Sequence, residues 1–159
     1  MNDKELFFER IFDKYSSMVY RLAFSRTNNR YDADDILQTV FLKLVKADVD
    51  FTEDEHIKAW LIKVTLNTSK NLISSAFRRL TLPLEDTLAT EMKSKTEVYY
   101  AVMKLPTKYR TVIHLYYFEG YSVTEMAKWL ETKEATVKTW LSRARAKLGT
   151  ELKGEDFGV

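Results

Sequence analysis

Apolar residues recur every three or four positions over most of the chain, which is the spacing of one buried helix face. In the N-terminal half this pattern covers residues 6–25, 32–46 and 57–79, with Asp32 able to cap the second segment. It resumes in "TEVYYAVMKL" and "PTKYRTVIHLYYFEG" and continues in two shorter segments up to Gly149. The pattern predicts a chain built of α-helices.

Glycine and proline are scarce, which supports the same conclusion. The chain has four glycines and two prolines, and no glycine occurs before Gly120. Hairpins and phosphate-cradling loops need glycine at defined positions, so neither is expected in most of this chain.

Periodicity is weak in residues 80–95, "LTLPLEDTLATEMKSK", where a proline and many small polar residues predict a linker. The chain then divides into a helical domain at 1–79, the linker at 80–95, a second helical domain at 96–153 and a tail at 154–159. The predicted fold class is all-α: two small helical domains joined by a linker.

The C-terminal domain carries clear signals for helix ends. Ser122 and Glu125 form the capping-box pattern S-V-T-E, and Gly120 can close the helix before it. Thr132 can cap the last helix. Residues 121–149 are therefore predicted to form two helices with a short connection, a helix-turn-helix.

The second helix of this pair separates apolar from basic residues. Residues 133–148 hold five Lys and Arg against a single acid, Glu134, although the net charge of the whole chain is only +2. Cations neutralise phosphates, and the second helix of a helix-turn-helix enters the major groove. Duplex DNA binding is predicted, against the alternative of a solvated basic face. A core-facing stripe at i, i+4, i+7 and i+11 is formed by Val137, Leu141, Ala144 and Leu148.

The residue types present argue against an enzyme. The chain has no cysteine, and His56 and His114 are its two histidines. No cluster has metal-ligand spacing and no Ser or Lys lies in a known catalytic motif, so no metal or cofactor is expected. Acids stand where a signal peptide needs cations, and no apolar run is long enough to insert in a membrane. A cytoplasmic protein is expected.

Four segments together resemble one known family. In chain order, "DADDILQTVFLKL", "AWLIKVTLNTSKN", "KLPTKYRTVIHLYYFEGYSVTEMAKWL" and "ATVKTWLSRARAKL" are similar to RNA polymerase sigma factors of the extracytoplasmic-function (ECF) subfamily. The resemblance covers about residues 5–150. It implies a bacterial initiation factor whose N-terminal domain binds the polymerase clamp and opens the −10 promoter element. The C-terminal domain would bind the −35 element as duplex and touch the polymerase flap. An anti-sigma factor is a further expected partner.

The resemblance assigns polymerase binding to the second helix. The family pattern Asp-aliphatic-x-Gln-Glu-x-Phe corresponds to residues 35–41, "DILQTVF", with Thr39 in place of the usual acid. The residues implied to face the clamp are Asp35, Gln38, Thr39 and Leu42.

It also assigns −10 recognition to the third helix and the loop before it. Phe51 and Asn67 fall at positions of a pocket that holds a flipped base, where an aromatic contact and an amide suit the chemistry. Lys63, Lys70 and Asn71 could hold the single-stranded backbone. For Phe51 alone, a place in the core is an open alternative.

In the last helix the resemblance assigns Lys138, Thr139, Ser142 and Arg143 to base edges, and Arg145 and Lys147 to phosphates. Trp140 stands where the family has Arg, and its spacing places it beside the packing stripe.

The turn before this helix departs from the family, because Glu131 stands where Gly is usual. Either the turn avoids positive φ or it is slightly strained.

Two alternatives use the same C-terminal helices without the N-terminal pattern. One is an activator or repressor that dimerises on a two-fold site, and the other is a protein-interaction module with a solvated basic helix.

Overall fold

The computed structural model describes residues 2–47, 54–76 and 97–151. These residues form seven α-helices and one π-helical turn, and no strand occurs among them. The chain divides into two compact units, residues 1–79 and 80–159. The prediction of an all-α, two-domain fold is confirmed. The predicted linker and tail lie outside the described residues.

The first unit is a bundle of three helices: α1 (Asp3–Thr27), α2 (Arg30–Lys46) and α3 (Asp54–Ala76). Each helix packs against the other two. The sequence periodicity explains the packing, since most buried positions of each helix recur at intervals of three or four residues. The core side chains are Ile11, Val19, Leu22, Ile36, Val40, Ile57, Leu61 and Ile62.

The junction between α1 and α2 differs from the prediction. Asn28 adopts a left-handed conformation with φ 51° and ends α1, and the side chain of Asn29 then accepts a hydrogen bond from the backbone N–H of Asp32. The cap is therefore Asn29, and the prediction that Asp32 caps α2 is wrong. The reason is local: two consecutive asparagines suit the left-handed residue and the cap, so α2 begins at Arg30.

A polar contact inside this bundle joins α1 to α3. The Nε of Arg26 donates to Oγ of Ser69 at 2.9 Å, and Ser69 itself donates to the carbonyl of Leu66. Burial lowers the pKa of the Arg26 guanidinium below its ordinary value. Arg26 stays charged, because that ordinary value lies far above neutral pH.

The second unit contains α4 (Glu97–Met103), α5 (Thr107–Ile113), α6 (Val123–Trp129) and α7 (Glu134–Glu151). A π-helical turn at His114–Phe118 continues α5. Helix α7 packs against α4, α5 and α6. The predicted stripe of α7 is buried in this core, which contains Val112, Leu115, Met126, Val137, Leu141, Ala144 and Leu148.

Two buried polar residues make contacts in the segments that precede the helix-turn-helix. Arg110 is 7% exposed and donates to the carbonyl of Leu105 at 2.9 Å, which closes the turn between α4 and α5. His114 Nε2 lies 3.3 Å from the carboxylate of Glu119 across the π-helical turn. Gly120 follows with φ 76°, a left-handed conformation that glycine adopts at little cost, and the chain then turns into α6.

Candidate nucleic-acid interface

The first helix of the predicted helix-turn-helix begins at a complete capping box. Ser122 Oγ accepts from the backbone N–H of Glu125 at 3.1 Å, and the Glu125 carboxylate accepts from the backbone N–H of Ser122 at 3.0 Å. Thr124 Oγ1 also donates to the carboxylate of Glu134 at 2.8 Å. This last bond ties the start of α6 to the start of α7, so it helps to set the angle between the two helices.

The turn between α6 and α7 is left-handed at Glu131, with φ 55°. The N–H of Glu131 donates to the carbonyl of Lys128 at 3.3 Å, and that of Thr132 donates to the carbonyl of Ala127 at 2.9 Å. These two bonds make a Schellman motif, which usually has glycine at the left-handed position. Of the two alternatives left open by the sequence, the strained turn is the one observed.

Helix α7 begins at Glu134, so the residue before it is Lys133, one position later than the predicted cap at Thr132. The backbone bonds agree, because Thr136 and Val137 both donate to the carbonyl of Lys133. Thr132 is instead the last residue of the Schellman motif. The prediction of a Thr132 cap is therefore wrong.

The outward face of α7 carries most of the residues assigned to the −35 element. At 100° per residue, Thr139 and Ser142 lie opposite the buried stripe and Arg143 lies beside them. This face has cations and hydroxyls and no acid over its length from Lys138 to Lys147. It can therefore donate to base edges and to phosphates together. The exposed members are Lys138, Thr139, Ser142, Arg143 and Lys147.

Arg145 is half-buried, because two tyrosines flank it. Its Nε donates to the hydroxyl of Tyr117 at 2.6 Å, and its guanidinium carbon lies 5.8 Å from the ring centre of Tyr116. Sequence reasoning missed both tyrosines, since "HLYYF" reads as part of one apolar helix. Trp140 is also half-buried, with Lys108 Nζ 5.7 Å from its ring centre, which fits a place beside the core.

The −10 residues that the structure describes share one face of α3. Lys63, Asn67, Lys70 and Asn71 are all exposed, and their spacing of four, three and one places them together. Phe51 lies outside the described residues. The resulting surface has two ammonium groups and two amides, which can bind a sugar-phosphate backbone and the edge of an unpaired base.

The start of α3 is held to α1 by an ion cluster that sequence reasoning missed. The carboxylate of Asp54 lies 2.5 Å from Lys14 Nζ and 3.4 Å from Arg10 Nη1, and Tyr15 donates to the carbonyl of Asp54 at 3.4 Å. The Lys14 hydrogen bond lowers the pKa of Asp54, and the same bond raises the pKa of Lys14. This Asp54 cluster holds the N-terminal end of α3 against α1.

The residues assigned to the clamp lie on the outer side of α2. Asp35 and Gln38 are exposed, Leu42 is 57% exposed, and Thr39 is half-buried. The structure adds two large exposed side chains to the same face, which sequence reasoning missed: Tyr31 and Val45. Their spacing from the predicted residues, i, i+4, i+7, i+11 and i+14, was the available signal. This α2 stripe consists of Tyr31, Asp35, Gln38, Leu42 and Val45.

No helix in the described ranges 2–47, 54–76 and 97–151 has the length and apolar character needed to cross a membrane. Within the same ranges, no three His, Cys, Asp or Glu residues are grouped so that they could hold a metal ion.

Family models match both units of the chain. Residues 11–79 match Sigma-70 region 2, and residues 95–148 match Sigma-70, region 4. SigV of Bacillus subtilis, an RNA polymerase sigma factor, is 31% identical over 144 residues, which cover 87% of this chain and 86% of SigV. The chain belongs to the sigma-70 family, in its ECF subfamily. It is a sigma factor that directs RNA polymerase to promoters, and it is not an enzyme.

Other relatives agree with this membership. The ECF sigma factor SigM of Mycobacterium tuberculosis is 29% identical over 157 residues, covering 96% of this sigma factor and 80% of SigM. Among solved structures, CnrH in complex with the cytosolic domain of CnrY has a TM-score of 0.67 and 29% identity, covering 91% of this chain and 86% of CnrH.

The sigma factor RpoE of Bartonella quintana, solved with the anti-sigma factor NepR, has a TM-score of 0.70, covering 92% of this chain and 97% of RpoE. At 19% identity, RpoE supports the fold alone.

Proposed function

We propose that this sigma factor divides promoter recognition between its two units. The first unit binds the polymerase clamp and opens the −10 element, and the second binds the −35 element as duplex and contacts the flap. The observation that carries the proposal is the outward face of α7. Its cations and hydroxyls are exposed on a helix-turn-helix whose apolar stripe is fully used by the core.

At the −35 element, α7 lies in the major groove. Lys138, Thr139, Ser142 and Arg143 reach base edges, where Arg can bond two acceptors of guanine and the hydroxyls suit several bases. Arg145 and Lys147 contact phosphates, which hold the helix in register. The Thr124–Glu134 bond supports this role, since it ties the start of α7 to the start of α6 and helps to hold the two helices at one angle.

At the −10 element, the exposed face of α3 receives the separated strand. The Asn67 amide can both donate and accept, so it can read the edge of a base drawn out of the stack. Lys63, Lys70 and Asn71 hold the strand's backbone, and Phe51 supplies the aromatic contact. The Asp54 cluster supports this arrangement because it anchors the start of α3, three positions after Phe51 in the sequence.

Polymerase binding belongs to the α2 stripe. Leu42, flanked by Tyr31 and Val45, gives the apolar contact, and Asp35 and Gln38 give charge and hydrogen bonds. Exposed apolar groups in one stripe with polar neighbours are typical of a protein-binding surface. Thr39, half-buried and uncharged, contributes less than the acid that the family usually has there.

An anti-sigma factor is the partner that we propose for the inactive state. RpoE was solved with the anti-sigma factor NepR, and CnrH with the cytosolic domain of CnrY. Because core polymerase and promoter DNA are its working partners, we propose that the protein acts in the cytoplasm.

The test is reconstitution with core RNA polymerase on genomic DNA fragments, followed by mapping of transcript starts. We expect a complex with core polymerase and initiation at a defined set of promoters that core polymerase alone does not use. A protein that fails to bind core polymerase and instead binds duplex DNA as a dimer would be an ordinary activator or repressor.

A further inference from the structure

Tyr117 and Arg145 lie 28 residues apart in sequence and form one polar pair on the flank of the helix-turn-helix. Tyr117 belongs to the π-helical turn after α5, and Arg145 belongs to α7. Arg145 is seven residues after Lys138, so both lie along the same side of α7. The pair therefore borders the face proposed to enter the major groove.

A short hydrogen bond joins the two side chains of the pair, and the guanidinium also contacts the ring. Arg145 Nε lies 2.6 Å from the Tyr117 hydroxyl oxygen, and the guanidinium carbon lies 5.5 Å from the ring centre. The hydroxyl oxygen accepts from Arg145, which leaves the hydroxyl hydrogen available to a second acceptor.

The remaining donors of the pair are free to bind a ligand. A guanidinium has five N–H donors, and no bond from the Nη groups of Arg145 occurs within the described part of the chain. Tyr117 is 54% exposed, so its ring is not packed in the core. The pair thus offers a charged fork and a hydroxyl from two different helices, both pointing to the same small region.

We propose that the Tyr117 hydroxyl and the Arg145 guanidinium together bind one phosphate of the DNA strand that borders the major groove at the −35 element. The proposal rests on the proposed −35 function of α7 and adds Tyr117 as a phosphate ligand. Arginine and a hydroxyl are ordinary donors to phosphate oxygens. Tyr117 has a second effect, since its bond to Nε holds the guanidinium in place before DNA arrives and reduces the ordering that binding requires.

The experiment compares Tyr117→Phe, Arg145→Ala and the double variant, each as full-length protein with core polymerase on one promoter. Because every variant is assayed with the same core polymerase on the same promoter, the contribution of the polymerase is common to all of them. Promoter affinity is measured over a series of salt concentrations. We expect Tyr117→Phe to weaken binding about fivefold, the effect of one hydrogen bond. Arg145→Ala should weaken it more and reduce the salt slope by about 0.9, the effect of one phosphate contact. The double variant should lose less than the product of the two single effects, because the groups share one phosphate.

Tyr100→Phe is the matched control, because Tyr100 is an exposed tyrosine on α4. It should leave both affinity and salt slope unchanged, and thermal unfolding should show that all variants are folded. The shared phosphate site would be overturned if Tyr117→Phe bound the promoter with wild-type affinity, or if the two substitutions had independent effects in the double variant. Neither result would bear on initiation by the wild-type protein. Failure of the wild-type protein to initiate would instead overturn the proposed function.

Discussion

Glu131 shows how one residue can depart from a family pattern and keep the motif. Its backbone is left-handed at φ 55°, a conformation that places Cβ too close to the following carbonyl oxygen. The two Schellman bonds of Glu131 and Thr132 hold this conformation in place. The turn therefore keeps its shape at a cost of about 1 kcal/mol in stability.

Replacing Glu131 by Gly should remove that cost. We expect Glu131→Gly to raise the free energy of unfolding of the second unit by about 1 kcal/mol, because glycine adopts a left-handed φ freely. Thermal unfolding followed by circular dichroism measures the change. Glu131→Ala is the control, since it removes the charge and keeps Cβ. Equal stabilisation by both variants would assign the effect to charge rather than to backbone conformation.

Asn67 has two possible roles that the sequence alone could not distinguish: its amide either supports the structure of α3 or reads a base. The residue is exposed on α3, so truncation leaves no buried polar group unpaired. We expect Asn67→Ala to reduce promoter opening about tenfold while binding to core polymerase is unchanged. Permanganate reactivity of unpaired thymines reports opening, and co-migration with core polymerase reports binding. Loss of core binding would show that Asn67 is structural.

Arg143 and Lys147 are both exposed on α7 and are expected to act differently. Arg143→Ala should weaken binding mainly to promoters with the preferred −35 base, by about tenfold, because a bidentate base contact is lost. Lys147→Ala should weaken binding to all sequences and reduce the salt slope by about 0.9. Affinities for a preferred and a substituted −35 element distinguish the two patterns. The same loss on every sequence for both variants would refute this division.

At the scale of elements, the Asp54 cluster makes the start of α3 depend on pH. The pKa of Asp54 is lowered in the folded protein, so its contribution to stability is complete above the ordinary pKa of aspartate and is lost as pH falls through the lowered value. The pKa of Lys14 is raised, so its contribution is complete below its ordinary pKa and is lost only at strongly alkaline pH. The cluster is therefore intact at neutral pH.

Asp54→Asn should remove the acid-sensitive part of this behaviour. We expect the stability of the variant to fall less than that of the wild-type protein when pH drops from neutral into the acid range. We also expect the difference in stability between the two proteins to be smaller at high salt. Thermal midpoints over a pH series measure both effects. Glu55→Gln is the matched control, because Glu55 is the neighbouring exposed acid of the same first turn. An identical change in the control would mean that the loss is a general charge effect.

Helix positions and helix faces followed from the sequence because periodicity reports directly which side of a helix is buried. The stripe from Val137 to Leu148 is the clearest case. Contacts between distant segments could not be predicted from the sequence, since periodicity does not indicate which other helix a buried face packs against. The pairs Arg10–Asp54 and Tyr117–Arg145 join residues 44 and 28 positions apart. The cap of α2 also lies three residues earlier than predicted, because Asn29 takes the place expected for Asp32.

At the scale of the whole molecule, the three proposed surfaces are divided between the two units. The α2 stripe and the face of α3 belong to residues 1–79, and the face of α7 belongs to residues 80–159. Each unit has its own core, so a surface change in one unit need not disturb folding of the other. Binding to the polymerase clamp and reading of the −35 element can therefore be altered one at a time.

Leu42 provides the sharpest test of that separation. We expect Leu42→Arg to weaken core polymerase binding about tenfold or more, because a charge replaces the central apolar side chain of the α2 stripe. Leu6→Arg is the matched control, since Leu6 is 52% exposed on α1 and Leu42 is 57% exposed on α2. Affinity for fluorescently labelled core polymerase measures the effect, and thermal unfolding confirms that both variants are folded. Arg143→Ala should bind core polymerase normally, because Arg143 lies on the face of α7 that we assign to DNA and not on the α2 stripe. Equal losses for Leu42→Arg and Leu6→Arg would show that the stripe has no special part in polymerase binding.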